Sequence, residues 1–215
     1  MPLLINRPGD VAAAVRHLST GAVVVVGFGN FYAVVAGPST AAVRRVNRAK
    51  GRPIDQVGSV TAAPTALQSL IDWSRVPAPI GADRARTLMD ALFAIGPFGF
   101  RGPAAAHLPD HLTRVHRGVR TTQVIGPGTR CPSNVFLTRA AAALGVDHLA
   151  ITSANRSRHL TAAAQEPAHW RASGIAADFA HVDDLTILGH PDEAAARAAY
   201  PAHRPCSVTV LSLHT

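Results

Sequence analysis

The chain has 215 residues, of which 47% are hydrophobic but only 5% aromatic, and it carries a formal charge of +8. This length and apolar content fit one α/β domain with a core of Ala, Val, Leu and Ile, and they exclude an intrinsically disordered chain. The positive charge favours anionic partners such as nucleotides or nucleic acids. All but one of the 21 basic residues are Arg, whose planar fork suits bidentate phosphate contact, although a compositional bias towards Arg explains this equally well.

Membrane association and disulfide bonding are not expected. The longest tight apolar run, Ala22–Val26, is too short to span a bilayer, and residues 1–21 lack the continuous apolar stretch of a secretory signal. Cys131 and Cys206 are far apart and form no Cys-x-x-Cys motif, which favours a reducing compartment. We therefore expect a cytoplasmic protein.

The first part of the chain predicts a helix, a strand and a second helix. Asp10 caps a helix that runs through Leu18, and the β-branched segment Ala22–Val26 predicts a strand covered on both faces. The strand leads into a glycine-containing turn at residues 27–30. A helix over Ala41–Ala49 follows, ended by Lys50 and Gly51.

The rest of the chain continues to alternate between helical and strand patterns. The predicted elements are a weak strand at Val57–Thr61, a helix at Pro64–Trp73, a helix from Asp83 to Ile95, a strand at Thr122–Ile125, a helix at Pro132–Leu144, a strand at His148–Thr152, a helix at Thr161–Ala177, a strand at Phe179–Val182, a helix at Asp192–Ala199 and a strand at Ser207–Leu213. Such alternation predicts an α/β or α+β fold. We interpret residues 1–215 as a single domain, because a short final strand cannot form a domain alone.

Lys50 and Arg52 are the first candidate site residues. They lie two residues apart beyond a predicted helix end, in the segment Lys50-Gly51-Arg52-Pro53. An ammonium and a guanidinium together suit phosphate oxygens. The helix C-terminus itself repels anions, so these two side chains would have to supply the attraction. A solvated basic helix end is the alternative interpretation.

A second polar segment follows the predicted strand at His148–Thr152. It reads Thr152-Ser153-Ala154-Asn155-Arg156-Ser157, and it places hydroxyl and amide groups at the carboxyl end of a buried strand, where open α/β sheets bind ligands. An ordinary Asx turn would use the same residue types.

Together the two segments resemble the YrdC-like family, whose catalytic members are threonylcarbamoyl-AMP synthases. The family pattern of a buried strand, a Tyr-Gly turn, a helix and Lys-x-Arg-Pro is similar to Val23–Pro53, with Tyr32 and Lys50-Gly51-Arg52-Pro53 in register. The family's Thr-Ser-Ala-Asn-x-Ser turn matches Thr152–Ser157. Weaker similarities lie at Gly96-Pro97 and at Pro205-Cys206-Ser207-Val208.

The resemblance implies a YrdC-like twisted mixed sheet, parallel and antiparallel, flanked by helices and carrying a basic concave site. That site would bind ATP, L-threonine and bicarbonate and release pyrophosphate, leaving threonylcarbamoyl-AMP for the modification of tRNA adenosine 37. Mg²⁺ would accompany ATP, and neither a tightly bound cofactor nor a protein-held metal is expected. The implied site residues are Lys50 and Arg52 for catalysis and phosphate binding, Thr152, Ser153 and Asn155 for the nucleotide, and Asn30, Tyr32 and Ser153 for the amino acid.

Two segments depart from the family pattern. Where the family reads Pro-Thr-Asp/Glu-Thr-Val-Tyr-Gly-Leu, this chain reads Gly27-Phe28-Gly29-Asn30-Phe31-Tyr32-Ala33-Val34, so a hydroxyl and an acid that could contact threonine are missing. The family's Arg-Val-Pro strand appears as Gln123-Val124-Ile125. Arg120 is a candidate to replace the lost arginine.

These departures leave two alternatives open. One is an adenylating enzyme with a different amino-acid substrate. The other is a binding protein for double-stranded RNA or tRNA that has lost turnover and uses Arg44, Arg45, Arg48, Lys50 and Arg52. We also considered a metal site among His107, His111 and His116, but no obvious closed ligand set accompanies these histidines.

Overall fold

A computed structural model describes residues 2–157, 167–200 and 208–215 of the chain. Its described strands form one sheet. In chain order they are β1 (Leu3–Leu4), β2 (Val23–Phe28), β3 (Phe31–Ala36), β4 (Ser59–Thr61), β5 (Phe98–Pro103), β6 (Arg114–His116), β7 (Val119–Gly126), β8 (Leu149–Ser153), β9 (Leu185–Gly189) and β10 (Thr209–Ser212).

Side chains cap the helices at Thr40–Ala49 and Glu193–Ala198. For the first of these, the Ser39 side chain accepts a hydrogen bond from the backbone N of Ala42, as expected for an N-cap, and Asp192 caps the second in the same way. The prediction that Asp10 caps the first helix is wrong, because Asp10 lies in its first turn and Arg7 is the N-cap. Short 3-10 helices lie at Pro64–Leu70, Trp73–Arg75 and Asp110–Leu112. The α-helices are α1 (Pro8–Ser19), α2 (Thr40–Ala49), α3 (Ala82–Ile95), α4 (Ser133–Leu144), α5 (Ala172–Asp178) and α6 (Glu193–Ala198).

The sheet mixes parallel and antiparallel pairs, which confirms the predicted fold class. Its strand order is β1-β9-β2-β3-β8-β4-β7-β5-β10, with β6 paired to β7. The β2-β3, β3-β8, β4-β8 and β5-β7 pairs are antiparallel, whereas β2-β9, β4-β7 and β5-β10 are parallel. Strand β2 lies inside the sheet and is buried along its whole length, as its unbroken run of Val predicts.

Helices cover both faces of the sheet, and alternate residues of each strand therefore point into two separate cores. Residues of α1 and α4 pack with Phe31, Ala33 and Ile151 on one face. Residues of α2, α3 and α5 pack with Tyr32 and Val34 on the other. Neighbouring residues of β3 thus serve opposite faces of the sheet.

Several sequence predictions need correction. The predicted strand at Phe179–Val182 is wrong: Phe179 ends α5 as a buried core residue, and the strand lies at Leu185–Gly189. The segment predicted as a helix at Pro64–Trp73 forms 3-10 turns instead. The strands β3 and β5 were not predicted.

Some predictions fall outside the described residues. Of the predicted helix at Thr161–Ala177, the structure describes α5 and the residues from 167 onwards. Most of the segment Pro205-Cys206-Ser207-Val208 also lies outside the described residues. In the part of the chain that the structure describes, no helix is both long enough and apolar enough to cross a membrane.

Candidate functional site: a basic cavity on the sheet

A cavity of about 250 Å³ lies on the sheet face that carries α1 and α4. Strands β3, β8, β4, β7 and β5, which are neighbours in the sheet, form its floor. The loop after α2 and the end of β8 border it. Side chains from segments far apart in the sequence therefore meet in one concavity.

Three arginines give the cavity its charge. Arg52 comes from the loop after α2, Arg101 from β5 and Arg114 from β6. The described residues that line the cavity include no carboxylate, so nothing among them neutralises this positive charge. Guanidinium groups that converge on an uncompensated cavity favour anionic ligands, above all phosphates and carboxylates.

Hydrogen bonds order the floor of the cavity. The Nη2 of Arg101 donates to Oε1 of Gln123 at 2.6 Å, and Nε2 of Gln123 donates to Oγ of Ser59 at 3.0 Å. These three side chains lie on β5, β7 and β4. These two hydrogen bonds hold the Arg101 guanidinium in place and leave its other N–H donors available to a ligand.

The end of α2 places Arg52 at the cavity. Lys50 is the C-cap residue, and Gly51 adopts a left-handed conformation with φ 63°, a geometry that glycine adopts without steric cost. The Arg52 backbone N donates to the carbonyl oxygen of Asn47 at 2.8 Å. The Asn47 side chain in turn donates to the carbonyl oxygens of Ile54 and Gln56, each at 2.9 Å, which fixes the loop.

Burial lowers the pKa of Arg52 to about 10. The guanidinium therefore stays charged at neutral pH. Its desolvation also means that a bound anion would meet a charge already stripped of part of its water, which strengthens the interaction.

Lys50 occupies a different place from Arg52. Its side chain is only 1% exposed and it does not line the cavity. The ammonium donates a hydrogen bond to the carbonyl oxygen of Ser153 and lies 3.4 Å from Oδ1 of Asn155. Burial, reinforced by the nearby Arg52, holds the pKa of Lys50 well below its usual value, against a smaller opposing effect of Asp178.

The end of β8 brings the Ser153 side chain to the cavity, since Ser153 pairs with Ala33 on the cavity face of the sheet. Thr152 and Ser153 line the cavity, whereas Asn155 is buried behind them. The Ser153 hydroxyl donates to Oδ1 of Asn155, and the backbone N of Ser157 donates to the carbonyl oxygen of Lys50 at 3.0 Å. Lys50 and Asn155 thus position the end of β8 and the following turn, while Thr152 and Ser153 border the cavity.

The structure places Tyr32 away from the cavity. Its neighbours Phe31 and Ala33 line the cavity, and Tyr32 points to the opposite face of the sheet. There the Tyr32 hydroxyl donates to Oε1 of Glu193 at 2.6 Å and accepts from the backbone N of His190 at 3.3 Å. Asn30 is also buried, and its carbonyl oxygen accepts from Nη1 of Arg197 at 2.9 Å. The structure does not bring these two residues together with Arg52.

Close packing explains the unusual turn between β2 and β3. A Cβ atom on Gly29, which has φ +65°, would lie 2.8 Å from Cγ of Pro97, and one on Gly27 would lie 2.6 Å from the His190 ring. The Gly29 backbone N donates to Sγ of Cys131 at 3.3 Å. The neighbouring Phe28 is fully buried. The turn therefore presents backbone and buried phenyl groups at the positions where a hydroxyl and an acid were expected.

No protein-family model and no curated protein sequence matches the chain, but solved structures do. Two structures of Sua5 from P. abyssi, a double variant and a complex with L-threonine, superpose with TM-scores of 0.68 and 0.66 at 19% and 21% identity. The matches cover 100% and 97% of this chain but only 57% and 52% of the Sua5 chains. This chain thus spans little more than half the length of Sua5.

Two further proteins share the architecture. E. coli YciO superposes with a TM-score of 0.61 at 18% identity, over 97% of this chain and 86% of YciO. Full-length HypF, in a phosphate- and nucleotide-bound form, superposes with a TM-score of 0.54 at 14% identity, over 86% of this chain and 25% of HypF. The chain has the YrdC-like fold. At these identities the likeness concerns the fold and leaves the chemistry to be argued from the residues.

Within this YrdC-like fold, the sequence had not singled out Arg101 and Arg114 as site residues. Arg101 is half-buried and Arg114 is exposed, and both line the cavity. Arg120 was the candidate to replace a lost arginine, but it donates to the carbonyl oxygens of Ala105 and Leu108, outside the cavity lining. The alternation of side chains along β5 would have indicated which face of the sheet Arg101 lies on. Because this strand was not predicted, the sequence did not identify Arg101 as a site residue.

The exposed arginines of α2 form a separate surface of this YrdC-like fold. Arg44 contacts Asp55 at 2.7 Å and Arg45 pairs with Asp184, while Arg48 is exposed. None of the three lines the basic cavity. The structure therefore separates Arg44, Arg45 and Arg48 from Arg52.

Proposed function

We propose that this chain binds ATP in the basic cavity and converts ATP, L-threonine and bicarbonate into threonylcarbamoyl-AMP and pyrophosphate, for the modification of tRNA adenosine 37. The observation that carries the proposal is the convergence of Arg52, Arg101 and Arg114 in one cavity, beside the end of β8 at Ser153. The described lining of this cavity holds no carboxylate. Such a cavity suits a ligand with several phosphate and carboxylate oxygens. The Sua5 complex with L-threonine and the nucleotide-bound HypF support the choice of ligands.

The reaction needs charge neutralisation more than covalent catalysis. The amine of threonine and bicarbonate form an N-carboxylate with loss of water. An oxygen of this N-carboxylate then attacks the α-phosphorus of ATP. The new oxygen–phosphorus bond replaces the bond to the β-phosphate oxygen, and pyrophosphate leaves with the electron pair. Arg52 and Arg101 would stabilise the negative charge that gathers on the phosphate oxygens, since fixed guanidinium groups need little reorganisation.

In this scheme Lys50 would position other groups of the site instead of contacting the substrate itself. Its ammonium contacts the carbonyl oxygen of Ser153 and thereby holds the turn that presents Thr152 and Ser153. Because the Ser153 hydroxyl donates its proton to Asn155, its oxygen can accept a hydrogen bond from a ribose hydroxyl. Because Lys50 is buried in the ligand-free structure, direct phosphate contact would require its side chain to move towards the cavity.

Mg²⁺ would enter as part of the ATP substrate. Protein-held Mg²⁺ usually involves one or two carboxylates in addition to phosphate oxygens, and the described lining of the cavity offers neither Asp nor Glu. The arginines of the cavity therefore do not form a site for the ion in the absence of triphosphate.

A specific observation supports a second candidate, an adenylating enzyme for another amino acid. Phe31 and Ala33 line the cavity, and Phe31 packs on the buried Phe28 with ring centroids 5.5 Å apart. These side chains form an apolar wall with no hydroxyl to pair with that of threonine. An aliphatic or aromatic amino acid without a side-chain hydroxyl would be accepted at such a wall at least as well.

RNA binding without turnover is less well supported. Of the three exposed arginines on α2, Arg44 and Arg45 already pair with Asp55 and Asp184. These acids reduce the positive potential of the helix surface. A protein that binds RNA through this surface would also show a steep loss of affinity with added salt.

A pyrophosphate-release assay tests the proposal. The purified chain is incubated with ATP and Mg²⁺, and pyrophosphate is measured with threonine and bicarbonate together, with each alone, and with valine, serine or leucine in place of threonine. Release that requires both threonine and bicarbonate supports threonylcarbamoyl-AMP synthesis, and faster release with valine or leucine supports the second candidate. An absence of release with every amino acid, at saturating ATP, would overturn both.

A further inference from the structure

His107, His111 and His116, which precede or belong to β6, do not share a site. His111 contacts the carbonyl oxygen of Pro38 and the hydroxyl of Thr40, and His116 contacts His214. His107 instead lies beside Asp147 and His148, which directly precede β8. Nothing in the sequence pattern joins His107 to Asp147 and His148, which lie 40 and 41 positions further along the chain.

The three side chains converge on one point. The Nε2 of His107 lies 3.1 Å from Oδ2 of Asp147, and Nδ1 of His148 lies 2.5 Å from Oδ1 of the same carboxylate. One candidate ligand atom from each residue lies within 4.8 Å of the other two. We propose that His107, Asp147 and His148 form a binding site for a divalent transition-metal ion, with Zn²⁺ as its best-suited occupant.

The ligand types define the metal. Two imidazoles and one carboxylate suit Zn²⁺ and its neighbours, whereas Mg²⁺ and Ca²⁺ prefer oxygen ligands alone. With bonds of about 2.0 to 2.1 Å, two ligand atoms on a tetrahedral Zn²⁺ stand about 3.3 Å apart. The distance of 3.1 Å between Nε2 of His107 and Oδ2 of Asp147 is already close to this value.

The Nδ1 of His148 lies 2.5 Å from the other carboxylate oxygen, Oδ1 of Asp147. Two ligand atoms on one tetrahedral Zn²⁺ stand about 3.3 Å apart, so the carboxylate must turn away from His148 before both imidazoles and one carboxylate oxygen can bind the same ion. Asp147 can make this adjustment because its side chain is 51% exposed. His148 cannot move as freely, since it is only 9% exposed. The buried His148 ring would hold its ligand atom in a fixed position, and the exposed Asp147 carboxylate would adjust to the ion. Water would complete the coordination shell.

This metal site would be separate from the basic cavity. His148 precedes β8 and Ser153 ends it, and five residues of a strand span about 16 Å. The ion would join the connection between β5 and β6 to the start of β8, two segments that are otherwise held by the sheet and by packing. Because the unfolded chain lacks the assembled site, the ion would stabilise the fold in proportion to its affinity.

Zinc binding is measured on the full chain after removal of any affinity tag, so that tag histidines do not contribute. Isothermal titration calorimetry with ZnCl₂, and visible absorption with Co²⁺ as a spectroscopic probe, give stoichiometry and affinity. We expect one Zn²⁺ per chain, a Co²⁺ absorption spectrum of imidazole and carboxylate ligation, and a thermal midpoint that rises with zinc concentration. Mg²⁺ at the same concentration should not raise it.

Three variants test the assignment. His107→Ala and Asp147→Asn each remove one ligand from an exposed position and should weaken zinc binding at least about tenfold. His111→Ala lies in the same connection but outside the cluster, and it should bind zinc as the wild type does. Zinc affinity that is unchanged in His107→Ala, or equally reduced in His111→Ala, would overturn the proposal, as would a wild type that binds no zinc. The variants' unfolding transitions without metal show that each one folds.

Discussion

The Lys50 ammonium donates a hydrogen bond to the backbone carbonyl oxygen of Ser153, a residue 103 positions further along the chain. This bond joins the end of α2 to the turn after β8, the two segments whose sequences first indicated a site. It also explains how a lysine comes to be almost fully buried. A buried charge is tolerated where it is hydrogen-bonded, but its protonated form is still disfavoured relative to water.

The first prediction concerns the pH dependence that Lys50 imposes on stability. In the unfolded chain Lys50 titrates near its usual pKa of 10.5, while burial holds the native pKa well below that value. At pH values between the native and the unfolded pKa of Lys50, the unfolded chain binds more protons than the native one. The free energy of unfolding therefore rises with pH in this range. We expect the wild type to gain stability relative to Lys50→Met as the pH rises towards 10.5.

Urea unfolding of both proteins at a series of pH values checks this expectation. Methionine has nearly the same length as lysine and no charge, and all other titrating groups are shared, so they cancel in the difference. A difference in unfolding free energy that stays constant with pH would show that Lys50 has an ordinary pKa in the native state.

The second prediction concerns the contribution of Arg52 to ATP binding. Arg52→Gln removes a half-buried guanidinium that lines the cavity. A charge-assisted hydrogen bond contributes about 1.5 to 3 kcal/mol, so the Kd for ATP should rise by roughly one to two orders of magnitude. Calorimetry with ATP and Mg²⁺ measures the change.

Arg44→Gln is the matched control for Arg52→Gln. It makes the same replacement on α2, at a residue that pairs with Asp55 on the surface. Its effect on ATP affinity should be small, because an exposed ion pair outside the cavity contributes little. Equal losses in both variants would indicate that ATP responds to the overall charge of the chain instead of to the cavity.

The sequence predicted more of the fold than of the site. Runs such as Val23–Val26 and the end of α2 at Lys50 carry their structure locally, and they were located correctly. The start of α1 was not, because Asp10 lies in the first turn of that helix and Arg7 is its N-cap. The direction of a side chain on a strand depends on register and on which face is covered, and neither is local. Tyr32 illustrates this: its motif placed it at the amino-acid pocket, but the strand alternation turns it to Glu193 on the other face.

The same limit applies to Arg101. Its role depends on β5 lying beside β7, where it meets Gln123 across the pair. In the sequence, Gln123 stands where the family pattern has an arginine, and no role was assigned to it. In the structure it holds another arginine in the cavity.

The third prediction concerns the packing of the β2-β3 turn. Gly29 and Gly145 both have φ of 65°, but a Cβ on Gly29 would lie 2.8 Å from Pro97, whereas a Cβ on Gly145 has nothing within 4 Å. Gly145→Ala should therefore cost only the backbone strain, about 1 kcal/mol of unfolding free energy. Gly29→Ala should cost that amount and about 1 to 3 kcal/mol more for overpacking.

Urea unfolding of Gly29→Ala and Gly145→Ala gives both costs under the same conditions. Because the backbone term is common to the two variants, their difference isolates the contact with Pro97. Equal costs would show that the turn has room for a side chain, and the explanation given for its unusual sequence would fail.

The last prediction concerns the two tyrosines of the chain. Burial, together with the hydrogen bond and charge of Glu193, raises the pKa of Tyr32 far above its usual 10.0, and burial with the neighbouring Cys131 raises that of Tyr200 to about 12. The native protein should therefore show little tyrosinate absorbance near pH 10, whereas the unfolded chain ionises both tyrosines there. The native state holds these protons more tightly, so their contribution to stability is complete below pH 10.0 and is lost as the pH rises through the native values.

Ultraviolet titration at about pH 9 to 12, with and without denaturant, follows the ionisation directly. Glu193→Gln provides the test of cause, because it removes the charge that faces Tyr32 while keeping an oxygen that can accept the hydrogen bond. In that variant one tyrosine should ionise at a lower pH than in the wild type, while the other is unchanged. A native wild type that titrates two tyrosines near pH 10 would contradict the raised pKa of both. An unchanged titration in Glu193→Gln would remove the carboxylate as a cause of the Tyr32 shift.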